Sequence, residues 1–135
     1  MCTHRRTFPG RPANVRDARH WALRLLANDL RADDAALIVT ELAGNATRHT
    51  ASGDQGGTFH VALDLTARAL TISVTDSGTA KTTPHIDRPT TDDPHGRGLA
   101  IVTALADHLE VRGDEAGHTV IARLLQRQTV ASTTC

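Results

Sequence analysis

The stretch Thr58-Phe59-His60-Val61-Ala62-Leu63-Asp64-Leu65, followed after Thr66-Ala67-Arg68 by Ala69-Leu70-Thr71-Ile72-Ser73-Val74-Thr75-Asp76, decides the fold. Phe59, Val61, Leu63 and Leu65 alternate with Thr58, His60, Ala62 and Asp64, the period of a strand with one face covered and the other wet. The pattern repeats with Leu70, Ile72 and Val74 facing in and Thr71, Ser73 and Thr75 facing out, so the two runs read as antiparallel neighbours joined by a short turn. Something apolar must cover the inward rows.

The flanks supply the cover. Upstream, Asn14 is read as an N-cap with Asp17 in a variant capping box, opening a helix to about Leu30 through Val15, Ala18, Ala22, Leu25 and Leu26. Asp33 or Asp34 caps a second helix whose stripe is Ala35, Ile38, Val39, Leu42, Ala43 and Ala46, ended by the polar segment Thr50 to Gly57. Downstream, Ser77 to His95 is a long loop with Pro84, Pro89 and Pro94, the kind expected to be a lid or disordered. Helical signals resume after Gly98 through Leu99, Ile101, Val102, Leu105 and Ala106. Leu109 to Val111 and Val120 to Leu124 then read as two more strands. The expected architecture is an α/β two-layer sandwich, a mixed, mostly antiparallel sheet covered on one face by about three helices.

Composition narrows the function classes. A chain of 135 residues is the size of one domain. Its 15 basic and 15 acidic side chains balance, and with no Tyr, one Trp and two Phe it has neither a basic patch nor a stacking platform for nucleic acid. Cys2 and Cys135, at opposite ends, are expected to be surface thiols. The opening residues are no secretory signal and no run approaches a membrane span, so the cytoplasm is the expected compartment and no membrane partner is expected. The eight histidines form no HExxH or paired ligand spacing, which disfavours a metal hydrolase.

Three features carry chemistry. On the second helix, Glu41, Asn45 and Arg48 fall within an arc of about 60°, with Glu41 and Asn45 beside the apolar stripe. A carboxylate and an amide one turn apart at a core edge can hold a hydrated cation and a hydroxyl close together. Asp76 continues the inward row Leu70, Ile72, Val74, so a carboxylate points to the covered side, where a ligand amino group would satisfy it, and Gly78 lets a ligand approach the backbone. Gly96-Arg97-Gly98-Leu99 joins a loop to an apolar helix, and a helix start offers free N–H groups and a positive dipole end to phosphates. Taken singly, each is also what an ordinary helix face, turn or helix start shows. Their order along the chain is far more specific.

That order resembles the GHKL ATPases. Glu41-Leu42-Ala43-Gly44-Asn45-Ala46-Thr47-Arg48-His49 is similar to their N box, in the form found in the bacterial serine kinases that double as anti-sigma factors. Val74-Thr75-Asp76-Ser77-Gly78 resembles the G1 box, His95-Gly96-Arg97-Gly98-Leu99-Ala100-Ile101-Val102 the G2 box in its GRGL variant, and Gly117-His118-Thr119-Val120 the closing strand. Phe8-Pro9-Gly10 and Ala18-Arg19 also fit. The resemblance implies a GHKL ATP-binding domain over residues 7–125, with 1–6 and 126–135 as flexible termini.

It further implies that Asp76 accepts a hydrogen bond from the adenine amino group, with the Thr119 hydroxyl supporting the same base. Asn45 would ligate Mg²⁺, Gly96 to Leu99 and the Arg97 side chain would cradle the phosphates of ATP, and Glu41 would orient or deprotonate the attacking hydroxyl. Arg19 corresponds to an arginine that relatives turn toward partners. Two positions depart from the pattern: Ala80 where many relatives have a second glycine, and His118 where relatives often carry Lys.

The activity implied is that of an ATP-binding regulator of transcription, an anti-sigma factor with serine/threonine-protein kinase activity toward an anti-anti-sigma antagonist. Its partners would be that antagonist and a sigma factor, and homodimerisation is left open. The alternative is a non-catalytic module that uses ATP to shape a partner-binding surface. A separated histidine-kinase catalytic domain fits less well, because the chain has no room for a dimerisation helix.

Overall fold

The computed structural model describes residues 2–49, 57–76, 94–114 and 117–125. Its elements run β1 (Cys2–Pro9), α1 (Pro12–Leu25), α2 (Ala32–His49), β2 (Thr58–Leu65), β3 (Ala69–Asp76), α3 (Pro94–Leu105), β4 (His108–Asp114) and β5 (Gly117–Leu125). The five strands form one sheet in the order β1-β2-β3-β5-β4, with every neighbouring pair antiparallel. β3 and β4 therefore run in the same direction with β5 between them. The described sheet is wholly antiparallel where a mixed one was expected.

The alternation that predicted β2 and β3 is the alternation observed. Phe59, Val61, Leu63, Leu65, Leu70, Ile72 and Val74 are all buried, and the register sets Leu65 opposite Leu70 and Val61 opposite Val74. Thr66 fixes that register locally: its hydroxyl accepts from the backbone N–H of Ala69 at 3.0 Å and donates to the Ala69 carbonyl at 3.1 Å, closing the turn. Val120, Ala122 and Leu124 extend the covered face onto β5.

α2 lies across this face. The whole expected stripe of Ala35, Ile38, Val39, Leu42, Ala43 and Ala46 is buried, and α2 packs on α1 and α3 as well as on the sheet. Each Leu or Ile so covered contributes on the order of 1.5–3 kcal/mol. At the far edge Phe8 stacks on Phe59 with ring centroids 5.3 Å apart, and Trp21 of α1 meets Phe8 edge-on at 5.8 Å. None of the helices among the described residues is long and apolar enough to cross a membrane.

Four expectations need correction. Residues 1–6, expected to be a flexible terminus, lie largely in β1, which pairs along its whole length with β2 from Cys2–Leu65 to Pro9–Thr58. Backbone hydrogen bonds order this strand, with no apolar alternation to announce it. Cys2 is buried and does not lie on the surface. α1 begins at Pro12 behind Arg11 as N-cap, because proline lacks the N–H that a first helical residue leaves unpaired anyway. Asn14 instead donates to Asp17 from inside the helix, at 2.9 Å, and the helix ends at Leu25. α3 likewise starts at Pro94, so Gly96, Arg97 and Gly98 belong to its first turns. The rest of the expected 77–95 loop, with Ala80, and the tail 126–135 with Cys135 lie outside the described residues.

The corner between α1 and α2 is built on one charged pair. Asp29 Oδ1 accepts from the Arg31 backbone N–H and Nε, and Asp29 Oδ2 accepts from Arg31 Nη2 at 2.8 Å. The side chains are only 6% and 11% exposed, respectively. Hydrogen bonds from the Arg31 side chain hold the Asp29 carboxyl below its ordinary value against the opposing effect of burial. A carboxylate with a lowered folded pKa adds stability above its unfolded value and loses it as pH falls through the folded one. We expect Asp29→Ala to cost roughly 3 kcal/mol near neutral pH by stranding a buried guanidinium. Urea unfolding as a function of pH checks this, with the gap to wild type narrowing once the pH drops below the ordinary carboxylate range.

Candidate functional site

At one end of the covered face, α2 meets the ends of β3 and β5. Among the described residues the buried polar or charged ones are Asn45, 4% exposed, and Asp76, 6% exposed, and both are here. With His118 they line a small cavity walled by Leu42, Ala46, Val74 and Val120, of about 10 Å³, room for about one water molecule. The arrangement is the polar floor of a pocket enclosed on three sides by hydrocarbon.

Each group is aimed by the element that carries it. Asp76 is the last residue of β3 and shares the parity of Leu70, Ile72 and Val74, which turns its carboxylate toward α2. Asn45 occupies the sheet-facing side of α2 between Leu42 and Ala46. The two threonines of that helix satisfy themselves locally: Thr40 and Thr47 donate to the carbonyls of Ala36 and Gly44, each at 2.8 Å. Asn45 does not. Both its Oδ1 and its Nδ2 are buried without a hydrogen-bond partner, a condition that costs about 1–3 kcal/mol per group and that native proteins retain chiefly where a ligand supplies the missing partner.

On β5, His118 has the parity of Val120, Ala122 and Leu124 and so faces the same floor. Its backbone N–H donates to Asp76 Oδ1 at 3.1 Å. Its Nδ1 lies 3.9 Å from Asp76 Oδ2, with the imidazole 11% exposed, and that nitrogen is buried without a hydrogen-bond partner.

The structure thus brings together Asn45 and Asp76 of the residues singled out from the sequence. It does not bring Thr119 to them. Thr119 pairs with Thr75 in register and shares a hydroxyl–hydroxyl hydrogen bond with it at 2.9 Å on the opposite face of the sheet. His118 takes that place, and strand parity counted back from Val120 identifies it. Glu41 is half-buried one turn before Asn45 on α2, beyond the cavity wall. Arg48 is exposed, and Arg19 is exposed on α1. Gly96, Arg97, Gly98 and Leu99 lie in the first two turns of α3; of these, Gly96 falls among the opening residues whose backbone N–H groups have no intrahelical acceptor. Gly78 lies outside the described residues.

The donor set constrains any metal. Among the described residues no group of three or more His, Cys, Asp or Glu converges, so a protein-only metal cage is not built here. The orphaned amide oxygen of Asn45 is a hard donor, suited to Mg²⁺ that takes its remaining ligands from phosphates and water.

A side chain at Gly44 would approach the guanidinium of Arg48, 3.2 Å from Nη1. The obstacle is the far end of a flexible chain, while the gain in helix propensity is intact. Gly44→Ala is therefore expected to raise stability by about 0.5–1 kcal/mol, read as a higher thermal midpoint.

Residues 8–124 match the family model of the histidine kinase-like ATPase domain. No curated protein matches. Among solved structures, the chain is similar to the crystal structure of the RsbU and RsbW domains of Rv1364c from Mycobacterium tuberculosis, with a TM-score of 0.66 and 19% identity. That match covers 99% of this chain and 35% of the other, so this chain spans about a third of that protein's length.

Proposed function

We propose, from the premise that this chain belongs to the histidine kinase-like ATPase domain family, that it binds ATP at the α2–β3–β5 floor and transfers the γ-phosphoryl group to a serine or threonine of a regulatory partner. The observation that carries the reading is the pairing of a buried carboxylate, Asp76, with a buried amide, Asn45, that has no protein partner, at one end of a sheet of this family.

The roles follow from position. Asp76, already held by the His118 amide, keeps a fixed carboxylate toward the cavity and accepts from an adenine amino group. Asn45 supplies an oxygen to Mg²⁺, which when bound neutralises phosphate charge. The N-terminal end of α3, where Gly96, Arg97, Gly98 and Leu99 lie, would turn its positive dipole end and the N–H of Gly96 toward the phosphates. Glu41, half-buried one turn from Asn45, would accept the proton of an incoming hydroxyl. Arg48 and Arg19 are both exposed; Arg48 would face the phosphates and Arg19 a protein partner. From the resemblance of residues 41–49 to the N box of anti-sigma serine kinases, the partner would be a regulatory protein of the sigma-factor or antagonist kind, and the compartment the cytoplasm.

The second reading, a module that binds ATP without turning it over, gains support from the position of Glu41 outside the cavity wall. The two readings separate by experiment. In calorimetric titration with Mg-ATP the wild type is expected to bind, and Asp76→Asn, which still accepts from the His118 amide, to bind about 10- to 100-fold more weakly. Glu41→Ala is expected to keep ATP affinity within about threefold while losing phosphoryl transfer. Failure of the wild type to bind ATP overturns both readings; binding together with ATP consumption that is absent in wild type and Glu41→Ala alike leaves the module.

A further inference from the structure

Among the buried polar atoms that the mechanism above leaves unused is the Nδ1 of His118. Its surroundings are unusually well defined. The imidazole is 11% exposed, its Nδ1 is shielded and unpartnered, and it stands 3.9 Å from Asp76 Oδ2, beyond hydrogen-bond reach, on the floor that also holds Asn45. The carboxylate itself is anchored by the His118 backbone N–H at 3.1 Å, so the relative position of the two groups is fixed by the β3–β5 ladder and not by a long side chain. The hydroxyl of Thr119, the group in the same strand that sequence would assign to a base, is tied to Thr75 on the other side of the sheet.

A carboxylate oxygen and an imidazole N–H side by side present an acceptor next to a donor. The complementary edge is a donor next to an acceptor. Adenine offers that pattern, an exocyclic amino group beside the ring nitrogen N1, whereas guanine reverses it with a carbonyl beside a ring N–H. Reading two adjacent atoms of a base edge from a rigid pair is the strategy by which proteins discriminate bases generally.

We propose that His118 is a base-specificity residue of this site: its Nδ1–H donates to adenine N1 while Asp76 accepts from the neighbouring amino group. The assignment rests on the nucleotide-binding reading given above and extends it to a residue outside the sequence-derived set. The imidazole thereby finds the partner that the unliganded fold denies it, and the interaction turns a single carboxylate contact into a two-point reading of the base.

The test compares ATP with 1-deaza-ATP, in which a C–H replaces N1 and the amino group is retained, by calorimetry on the full chain. The wild type is expected to bind ATP about five- to tenfold more tightly than the deaza analogue. In His118→Ala that preference should shrink to within about twofold, through weaker ATP binding. In His118→Asn, whose amide N–H takes the place of Nδ1–H, most of it should return, a rescue that loss of packing alone would not give. The Asp76→Asn variant should weaken both nucleotides and keep the preference.

A preference that persists in His118→Ala overturns the proposal, as does ATP binding by that variant as tight as or tighter than wild type, which would make the ring an obstruction. A wild-type preference near one overturns it even if the alanine variant does not fold. Wild type that binds neither nucleotide overturns this proposal and the function it rests on together, whereas wild type that binds both equally overturns this proposal alone.

Discussion

Everything at the site depends on the parity of β3. With one face of an antiparallel sheet covered, a strand has no freedom to choose which residues go inside: once Leu70, Ile72 and Val74 are buried, Asp76 must follow them in. A shift of one residue would expose the whole apolar row. The hydrophobic effect, non-directional in itself, thus acts through the two-residue repeat to aim a carboxylate into a region where a lone carboxylate is costly. The same constraint operates on β5, where Val120, Ala122 and Leu124 oblige His118 to turn inward and Thr119 outward.

What surrounds that carboxylate explains how the fold tolerates it. A backbone N–H from the adjacent strand meets one oxygen, and Leu42 and Ala46 of α2 wall the cavity into which the carboxylate faces. Asn45 and His118 retain unsatisfied atoms, whereas Thr40 and Thr47 of α2 are bonded locally. Such frustration at the site is where local rules yield to function. It is offset by apolar packing beside it, the stacked Phe8–Phe59 pair, whose Phe59 is the register partner of Asp76.

Much of this was legible beforehand, for identifiable reasons. The β2–β3 hairpin and the buried stripe of α2 follow from periodicity, and Asp76 and Asn45 follow from their places on those elements. β1 was not legible, because Thr3, His4, Arg5, Arg6 and Thr7 show no apolar alternation; the strand owes its existence to pairing with β2, which a local pattern cannot reveal. The starts of α1 and α3 differ from expectation because Pro12 opens α1 ahead of the capping signal at Asn14, and Pro94 opens α3 ahead of the glycines. The inward face of His118 follows from strand parity counted by twos from Val120, whereas the motif resemblance points to the hydroxyl beside it. The segment 77–93, on which Gly78 lies, is outside the described residues.

The strand order has a consequence for synthesis. β5 is the last described strand to leave the ribosome, yet it belongs between β3 and β4. While residues up to Asp114 are available, β1, β2 and β3 can pair in succession, but β4 lacks the neighbour it pairs with and β3 presents an unpaired inner edge. An open edge flanked by Ile72 and Val74 is a template for strands of other chains. The nascent protein is therefore most vulnerable to misassociation just before its final strand emerges. Insertion of Val120, Ala122 and Leu124 seals that edge and finishes the ligand floor in a single event, so a chain stalled short of them has neither a protected sheet nor a site.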